Sequence, residues 1–151
     1  MKVVAKNKKA FFNYDIIDIY NAGISLTGSE VKSIREGRIS IKESYAEIRD
    51  GEVFLLNCHI SLYDAANRFN HNPLRDRKLL LHRQEIKRLT GKIKQKGLTL
   101  IPVNVVINDK GLIKVQIALA KGKKVYEKRE AIKERDRERD MRAEMKRARK
   151  E

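Results

Sequence analysis

Basic side chains concentrate in four short clusters, and few acidic residues lie inside them. A surface selected only for solubility would intersperse both signs, so the clusters predict phosphate binding with a steep salt dependence. Nearby aromatic residues, Tyr45, Phe69 and Tyr126, are candidates for stacking on unpaired RNA bases, although Tyr45 could also pack in a strand and Phe69 could anchor a loop. The clusters are Lys6, Lys8 and Lys9; Lys32, Arg35 and Arg38; Arg75, Arg77 and Lys78; and Lys121, Lys123, Lys124, Lys128 and Arg129.

Patterns that would carry catalysis are missing from the sequence. The Gly-Lys-Lys run at 122–124 lacks the upstream glycine and the Ser or Thr of a phosphate-binding loop, and GxSxG does not occur. His59, His71 and His82 have no metal-ligand spacing and are predicted to be surface or packing residues. A single cysteine, Cys58, excludes an internal disulfide and a multi-cysteine zinc site. We therefore predict a protein that is not an enzyme and that needs no cofactor and no metal.

Length and composition favour one domain with an acidic partner. A chain of 151 residues suits a single hydrophobic core. Charged residues make up 36% of the chain against about 25% in typical proteins, and the net charge is +15, which favours nucleic acid as the partner. The sequence has no apolar run long enough for a membrane span or a signal peptide, so we expect a cytoplasmic protein without a membrane partner.

The charge divides the chain into two regions. Residues 1–126 hold 24 basic and 12 acidic side chains, whereas residues 127–151 hold 11 basic and 8 acidic ones. The second region has too few apolar residues to fold alone and is predicted to be disordered when free. Because it lacks Gly and Pro and is rich in Glu, Arg, Lys and Ala, a partner could fold it into a helix. The simpler alternative is a solubilising extension.

Strand patterns dominate residues 1–126. Two strand-like runs, Tyr14–Tyr20 and Ala22–Leu26, are predicted with a bend at Gly23. Asp50 and Gly51 lie between two further runs and predict a tight hairpin, because both turn positions need positive φ. A second hairpin is predicted around residues 108–111.

Two helices accompany the predicted strands. Residues 28–37 follow Thr27, which is spaced from Glu30 as in a capping box. Residues 82–97 place apolar side chains on one face, with a break or kink expected at Gly91. Many strands with a few short helices predict a mainly β fold, a small barrel whose basic face is a common platform for RNA.

Four stretches occur in the order found in one bacterial family. They are GISLTGSEVKSIREG, PLRDRKLLLHRQEI, KGLTLIPVNV and ALAKGKKVYEKRE. In these the chain resembles the small protein B family, the SsrA-binding (tmRNA-binding) proteins. The resemblance implies an oligonucleotide-binding-type β-barrel with about three flanking helices that is not an enzyme. It also implies binding to the tRNA-like domain of tmRNA and delivery to stalled ribosomes for trans-translation, beside elongation factor Tu and alanyl-tRNA synthetase.

The same resemblance implies a set of RNA-binding residues. We also expect the protein to be a monomer. Glu30 is the exception among them, because a carboxylate cannot bind a phosphate. It must either accept hydrogen bonds from base amino groups or hold a basic neighbour in place. The implied residues are Gly23, Glu30, Lys32, Arg35, Arg75, Arg77, Lys78, Lys123 and Lys124.

For the region after the barrel, the resemblance implies a tail that becomes helical in the empty mRNA channel near the decoding centre. Glu127 and Tyr126 depart from the family's usual Asp and His, and Tyr126 keeps an aromatic face while it loses the option of positive charge. A general RNA-binding barrel, such as a ribosomal or tRNA-binding accessory protein, is the alternative. The residues assigned to ribosome binding are Tyr126, Lys128, Arg129, Ile132, Lys133, Arg135 and Met141.

Overall fold

The structure is a computed structural model that describes residues 1–64, 70–123, 134–143 and 145. Up to residue 123 the described elements follow one another in the order β1 (Lys2–Lys6), α1 (Lys8–Asn13), β2 (Tyr14–Ile24), α2 (Gly28–Arg35), β3 (Ile39–Ser40), β4 (Tyr45–Arg49), β5 (Glu52–Leu56), β6 (His59–Ile60), β7 (Arg77–Leu80), α3 (Arg83–Lys96), β8 (Thr99–Ile107) and β9 (Ile113–Gly122).

Six of these strands close into a barrel. Their order is β8-β4-β5-β7-β2-β9, and β9 pairs again with β8, which closes the ring. The start of β8 pairs with β4 through Leu100 and Ala46, and its end pairs with β1. Strands β3 and β6 form a separate two-stranded ribbon. The predicted mainly β barrel is confirmed.

The barrel interior is filled by alternating side chains. In β9, Val115, Ile117 and Leu119 point into the main core, as the two-residue period of a strand requires. Ala118 and Ala120 belong to a second cluster that also contains Ala10 of α1. This second cluster therefore fixes α1 to the outer face of the barrel.

Two β-bulges allow the long strands β2 and β8 to contribute side chains both to the main core and to the outer cluster beside α1. The register of β2 shifts between Ile16 and Asp18. Ile16, before the shift, packs against the outer cluster, whereas Tyr20 and Ala22, after it, belong to the inner core. A similar shift in β8 lies between Pro102 and Asn104. One extra residue in a strand reverses the face of every side chain beyond it, so these bulges make room for α1 without breaking the barrel.

Both helices predicted from the sequence are present, with one difference. The Thr27 hydroxyl accepts from the Glu30 amide at 3.4 Å, and the Thr27 amide donates to Glu30 Oε1 at 2.8 Å, which confirms the capping box. Helix α3 runs through Gly91 without a break, so the expected interruption is wrong. Leu89 is fully buried and Ile86 and Ile93 pack against the core, and this burial outweighs the roughly 1 kcal/mol that a helical glycine costs.

Gly23 does not bend the chain, because β2 is continuous from Tyr14 to Ile24. The expected bend is corrected: Gly23 pairs with Leu80 of β7 on one side and with Lys114 of β9 on the other. A Cβ at Gly23 would lie 3.3 Å from the Leu80 Cβ, so glycine permits a close approach of β2 and β7. Both predicted hairpins are confirmed, the first with positive φ at Asp50 and Gly51.

The described part of the tail is a helix over residues 134–143, and every residue in it is exposed. This is the conformation expected for the tail with its partner. Because a short isolated helix is marginal in water, disorder of the free tail and a boundary after residue 126 stay predictions. Within the described residues, no helix is long and apolar enough to cross a membrane.

Candidate nucleic-acid interface

Glu30 lies in the first turn of α2 and is fully buried. Its Oε1 accepts hydrogen bonds from Arg75 Nη2 at 2.5 Å and from the Thr27 amide at 2.8 Å. Its Oε2 accepts from Arg77 Nε. The Glu30 carboxylate has no access to solvent, but two guanidinium groups and one backbone N–H bind it. A buried charge needs such partners to offset the loss of its hydration.

The partners of Glu30 also decide its charge. Burial alone would raise the pKa of the carboxyl, but hydrogen bonds from Arg75, the Thr27 amide and Arg77, with the charge of Arg77, lower the pKa to about 2. Glu30 is therefore ionised throughout the physiological range. Thr27 and α2 are joined through it to the loop that precedes β7.

Arg77 is as deeply buried as Glu30, with no exposed side-chain surface. Besides Glu30, its guanidinium donates to the Cys58 carbonyl at 2.7 Å, the Pro73 carbonyl at 3.1 Å and the Asn72 carbonyl at 3.3 Å. Its donors are thus used inside the protein. The predicted phosphate contact at Arg77 is corrected: this arginine holds the loop before β7 in position.

Burial also decides between the two roles considered for Glu30. A carboxylate without accessible surface cannot accept hydrogen bonds from bases, so the predicted place of Glu30 on an RNA-contacting surface is corrected. Its role is to hold Arg75 beside α2. The Arg75 side chain is 37% exposed, and its Nη2 also donates to the Ser25 carbonyl at 3.3 Å. Nη2 is thus fixed on the protein and Nε is buried, which leaves Nη1, 3.5 Å from the Asp76 carbonyl oxygen, as the group that remains for a ligand.

Exposed basic side chains surround this network. Lys32 and Arg35 are exposed on α2, and the Lys32 ammonium lies 5.4 Å from the centre of the Tyr63 ring. Lys78 is exposed on β7, where it pairs with Glu52 at 3.1 Å. We call the exposed residues Lys32, Arg35 and Lys78, together with the half-buried Arg75, the α2–β7 surface. Gly23 lies close to it, since β2 pairs with β7 there.

Lys123 lies elsewhere, directly after β9. Its side chain is only 15% exposed, and its ammonium donates to the Phe11 carbonyl at 3.4 Å and lies 4.0 Å from Asp15 Oδ1. It therefore anchors the end of β9 to α1, which differs from the predicted phosphate contact. Arg135 and Met141 lie in the exposed helix over residues 134–143. The other assigned residues are outside the described residues: Phe69, Lys124, Tyr126, Lys128, Arg129, Ile132 and Lys133.

Sequence reasoning missed the residues that support the α2–β7 surface from behind. Ser29 Oγ lies 2.8 Å from His71 Nδ1, and His71 Nε2 lies 2.9 Å from the Ile60 carbonyl oxygen. His71 was expected to be a surface or a packing residue, and its burial shows that it packs inside the protein. Its partner is 42 residues away in the sequence, so no spacing rule could have found the pair. Among the described residues, no group of three or more His, Cys, Asp or Glu could hold a metal ion.

The low pKa of Glu30 predicts that the folded protein loses stability at acidic pH. Folding lowers this pKa from 4.5 to about 2. The stabilisation that the ionised Glu30 carboxylate contributes is therefore complete above pH 4.5. That contribution, about 3 kcal/mol, is lost as the pH falls from 4.5 to 2. NMR titration of the Glu30 carboxyl carbon should give a midpoint near 2, with unfolding by urea easier at pH 3 than at pH 6. A midpoint in the ordinary range would contradict the buried pairing.

Comparison with known proteins matches residues 4–147 to the family described as "SmpB protein". The chain is 56% identical over 138 residues to the SsrA-binding protein of Symbiobacterium thermophilum, covering 91% of this chain and 87% of the relative. It is 55% identical over 141 residues to that of Moorella thermoacetica, covering 93% and 91%. A chain in a solved structure described as "tmRNA-SmpB: a journey to the center of the bacterial ribosome" is 43% identical, with a TM-score of 0.69 over 87% of this chain and 95% of that one.

Proposed function

The chain belongs to the SmpB family, and we propose from this premise that it binds tmRNA (SsrA RNA) and delivers it to stalled ribosomes for trans-translation. Relatives at more than 50% identity are SsrA-binding proteins. The observation that carries the proposal is the α2–β7 surface, where a buried carboxylate fixes Arg75 among exposed lysines and arginines.

The α2–β7 surface binds the tRNA-like domain through its phosphates. The positive charge comes from its four basic side chains. Two buried residues, Glu30 and Arg77, hold Arg75 and the loop before β7 in place from inside the protein. Fixing Arg75 before RNA arrives lowers the conformational entropy lost on binding. Since its Nη2 is bound within the protein and its Nε is buried, Arg75 offers its Nη1 to a phosphate as one charge-assisted hydrogen bond.

The tail acts after delivery. It occupies the empty mRNA channel near the decoding centre of the small subunit as a helix, and its 11 basic residues find phosphate partners in ribosomal RNA. The protein works in the cytoplasm as a monomer, and elongation factor Tu and alanyl-tRNA synthetase act on the same RNA. In this scheme the chain itself catalyses no step.

We expect a protein truncated after Tyr126 to bind tmRNA almost as tightly as the full chain does. Residues 1–126 contain 24 basic and 12 acidic side chains and the whole α2–β7 surface. Filter binding at increasing salt measures the affinity, which should fall steeply as counterions are released. Arg75→Ala in the same truncated protein is the matched control, and it should weaken binding.

Selectivity distinguishes this function from that of a general RNA-binding barrel. Competition with unrelated transfer RNA should leave most tmRNA bound. Equal competition by both RNAs would favour the general barrel. Loss of tmRNA binding by a folded truncated protein would refute the division of labour between barrel and tail.

A further inference from the structure

A second candidate site borders the α2–β7 surface, because Tyr45 of β4 pairs with Leu56 of β5, and Leu55 beside it pairs with Arg77 of β7. It is a pocket of about 570 Å³ between α1, the turn before β4 and the starts of β2 and β8. Strand β2 begins here at Tyr14 and ends at Ile24, just before α2. Only two strand spacings, about 10 Å, separate Tyr45 from β7, so one RNA strand can reach both places with different nucleotides.

The chemistry of this pocket suits a nucleotide. Tyr14 and Tyr45 both line it, and Tyr45 is 47% exposed although it is aromatic. Lys9 and Lys42 line it as well, and both are exposed. Bases of any kind stack on aromatic rings, and ammonium groups bind the flanking phosphates. The volume lies within the range of about 300 to 1,000 Å³ that is usual for small-ligand pockets.

Two further lining residues limit what can bind. Asn13 supplies a side-chain amide, which can donate to and accept from the edge of a base. Glu43 supplies a carboxylate, which repels a phosphate at that end of the pocket. The carboxylate can instead accept hydrogen bonds from the amino groups of a base. The two lysines and this one acid leave the lining positively charged, so a nucleotide within RNA fits better than a neutral small molecule.

The walls of the pocket are held in place from inside the protein. The buried Asn7 side chain donates to the Pro102 carbonyl at 3.1 Å and to the Ile41 carbonyl at 3.4 Å, which joins the chain before α1 to β8 and to the turn before β4. Ser44 Oγ donates to the Asn57 carbonyl at 3.2 Å. A pocket with fixed walls loses little entropy when a ligand binds.

We propose that this pocket binds a single unpaired nucleotide of RNA, with its base stacked on Tyr45 and its phosphates at Lys9 and Lys42. The proposal rests on the proposed function only in that RNA is the ligand. The pocket lies where the chain leaves the barrel toward the tail, since Tyr14 pairs with Gly122 and the Lys123 amide donates to the Asn13 carbonyl at 2.9 Å. The nucleotide belongs either to tmRNA or to ribosomal RNA.

The test compares Tyr45→Leu with Tyr45→Phe in the full chain. Loss of one stacked base costs about 1 to 3 kcal/mol, so Tyr45→Leu should weaken binding roughly 5- to 150-fold, whereas Tyr45→Phe keeps the ring and should bind like the wild type. Dissociation constants for tmRNA and for isolated small ribosomal subunits are measured separately. The RNA whose affinity falls is the source of the nucleotide. Because Tyr45 is exposed, both variants should fold, and thermal unfolding checks this.

Two additional measurements complete the test. Lys42→Glu should weaken binding of the same RNA, because it places a negative charge beside the phosphates. Photocrosslinking with 5-iodouridine in place of uridine in that RNA should join it to Tyr45 or Tyr14. Unchanged affinity of Tyr45→Leu for both RNAs would overturn the proposal. Arg75→Ala separates the two surfaces: if it weakens tmRNA binding while Tyr45→Leu does not, only the pocket proposal fails.

Discussion

Replacing Glu30 by Ala should destabilise the protein by about 3 to 5 kcal/mol, the usual cost of leaving one partner of a buried ion pair without its counter-charge. Arg77 would remain fully buried and would lose the carboxylate that its Nε binds. Arg75 would lose the bond that holds its guanidinium beside α2. The same change should therefore weaken tmRNA binding, although it makes the protein more positive and general electrostatics would predict tighter binding.

Glu47→Ala is the matched control for this variant, because it changes the net charge by the same amount. Glu47 is exposed and pairs with Arg49 at 3.2 Å, so its loss should cost at most about 1 kcal/mol. Urea unfolding gives the free energies, and filter binding at a temperature where both variants are folded gives the affinities. If Glu30→Ala were as stable as Glu47→Ala and bound tmRNA at least as tightly, the positioning role of Glu30 would be excluded.

Replacing both Ile132 and Met141 by Pro should abolish peptide tagging on stalled ribosomes and spare tmRNA binding. Proline in a helix interior costs about 3 kcal/mol, and Met141 lies within the exposed helix over residues 134–143. The α2–β7 surface is unaffected, because it belongs to the barrel. A reconstituted translation reaction on a message without a stop codon measures tagging.

The corresponding Ala variant at both positions is the control, since it removes the same side chains and keeps high helix propensity. It should retain most of the tagging. Normal tagging by the Pro variant would mean that the helix has no role and that the tail is a solubilising extension. Loss of tagging by both variants would instead assign the effect to the side chains of Ile132 and Met141.

Local patterns in the sequence predicted local structure well. Thr27 and Glu30 predicted a capping box because both of its hydrogen bonds join residues three apart. Asp50 and Gly51 predicted their hairpin because few residues accept positive φ. Gly91 misled the prediction, since its cost as a helical glycine is small compared with burial of the apolar face of α3.

Features that depend on distant partners could not be predicted in this way. Arg77 resembled a surface residue, because its partners come from Glu30, Cys58 and the loop before β7, which are separated along the chain. The bulges in β2 and β8 also leave no simple pattern, because they depend on where α1 packs. The exposed basic residues of α2 and β7 could therefore be found from the sequence, whereas buried Glu30 and Arg77 were taken for parts of the same surface. That this surface binds RNA stays a prediction.

The pairing of β9 on both edges has a mechanical consequence. The chain passes from β9 toward the tail, so any pull on a tail held in a channel enters the barrel at Gly122. Strand β9 is bonded to β2 along one edge and to β8 along the other for most of its length. A force parallel to β9 acts in shear on its hydrogen bonds to β2 and β8. All of these bonds resist the force at the same time, so they do not break one after another. Strand β9, bonded along both edges, thus joins the barrel that carries the α2–β7 surface to the region that would take the pull.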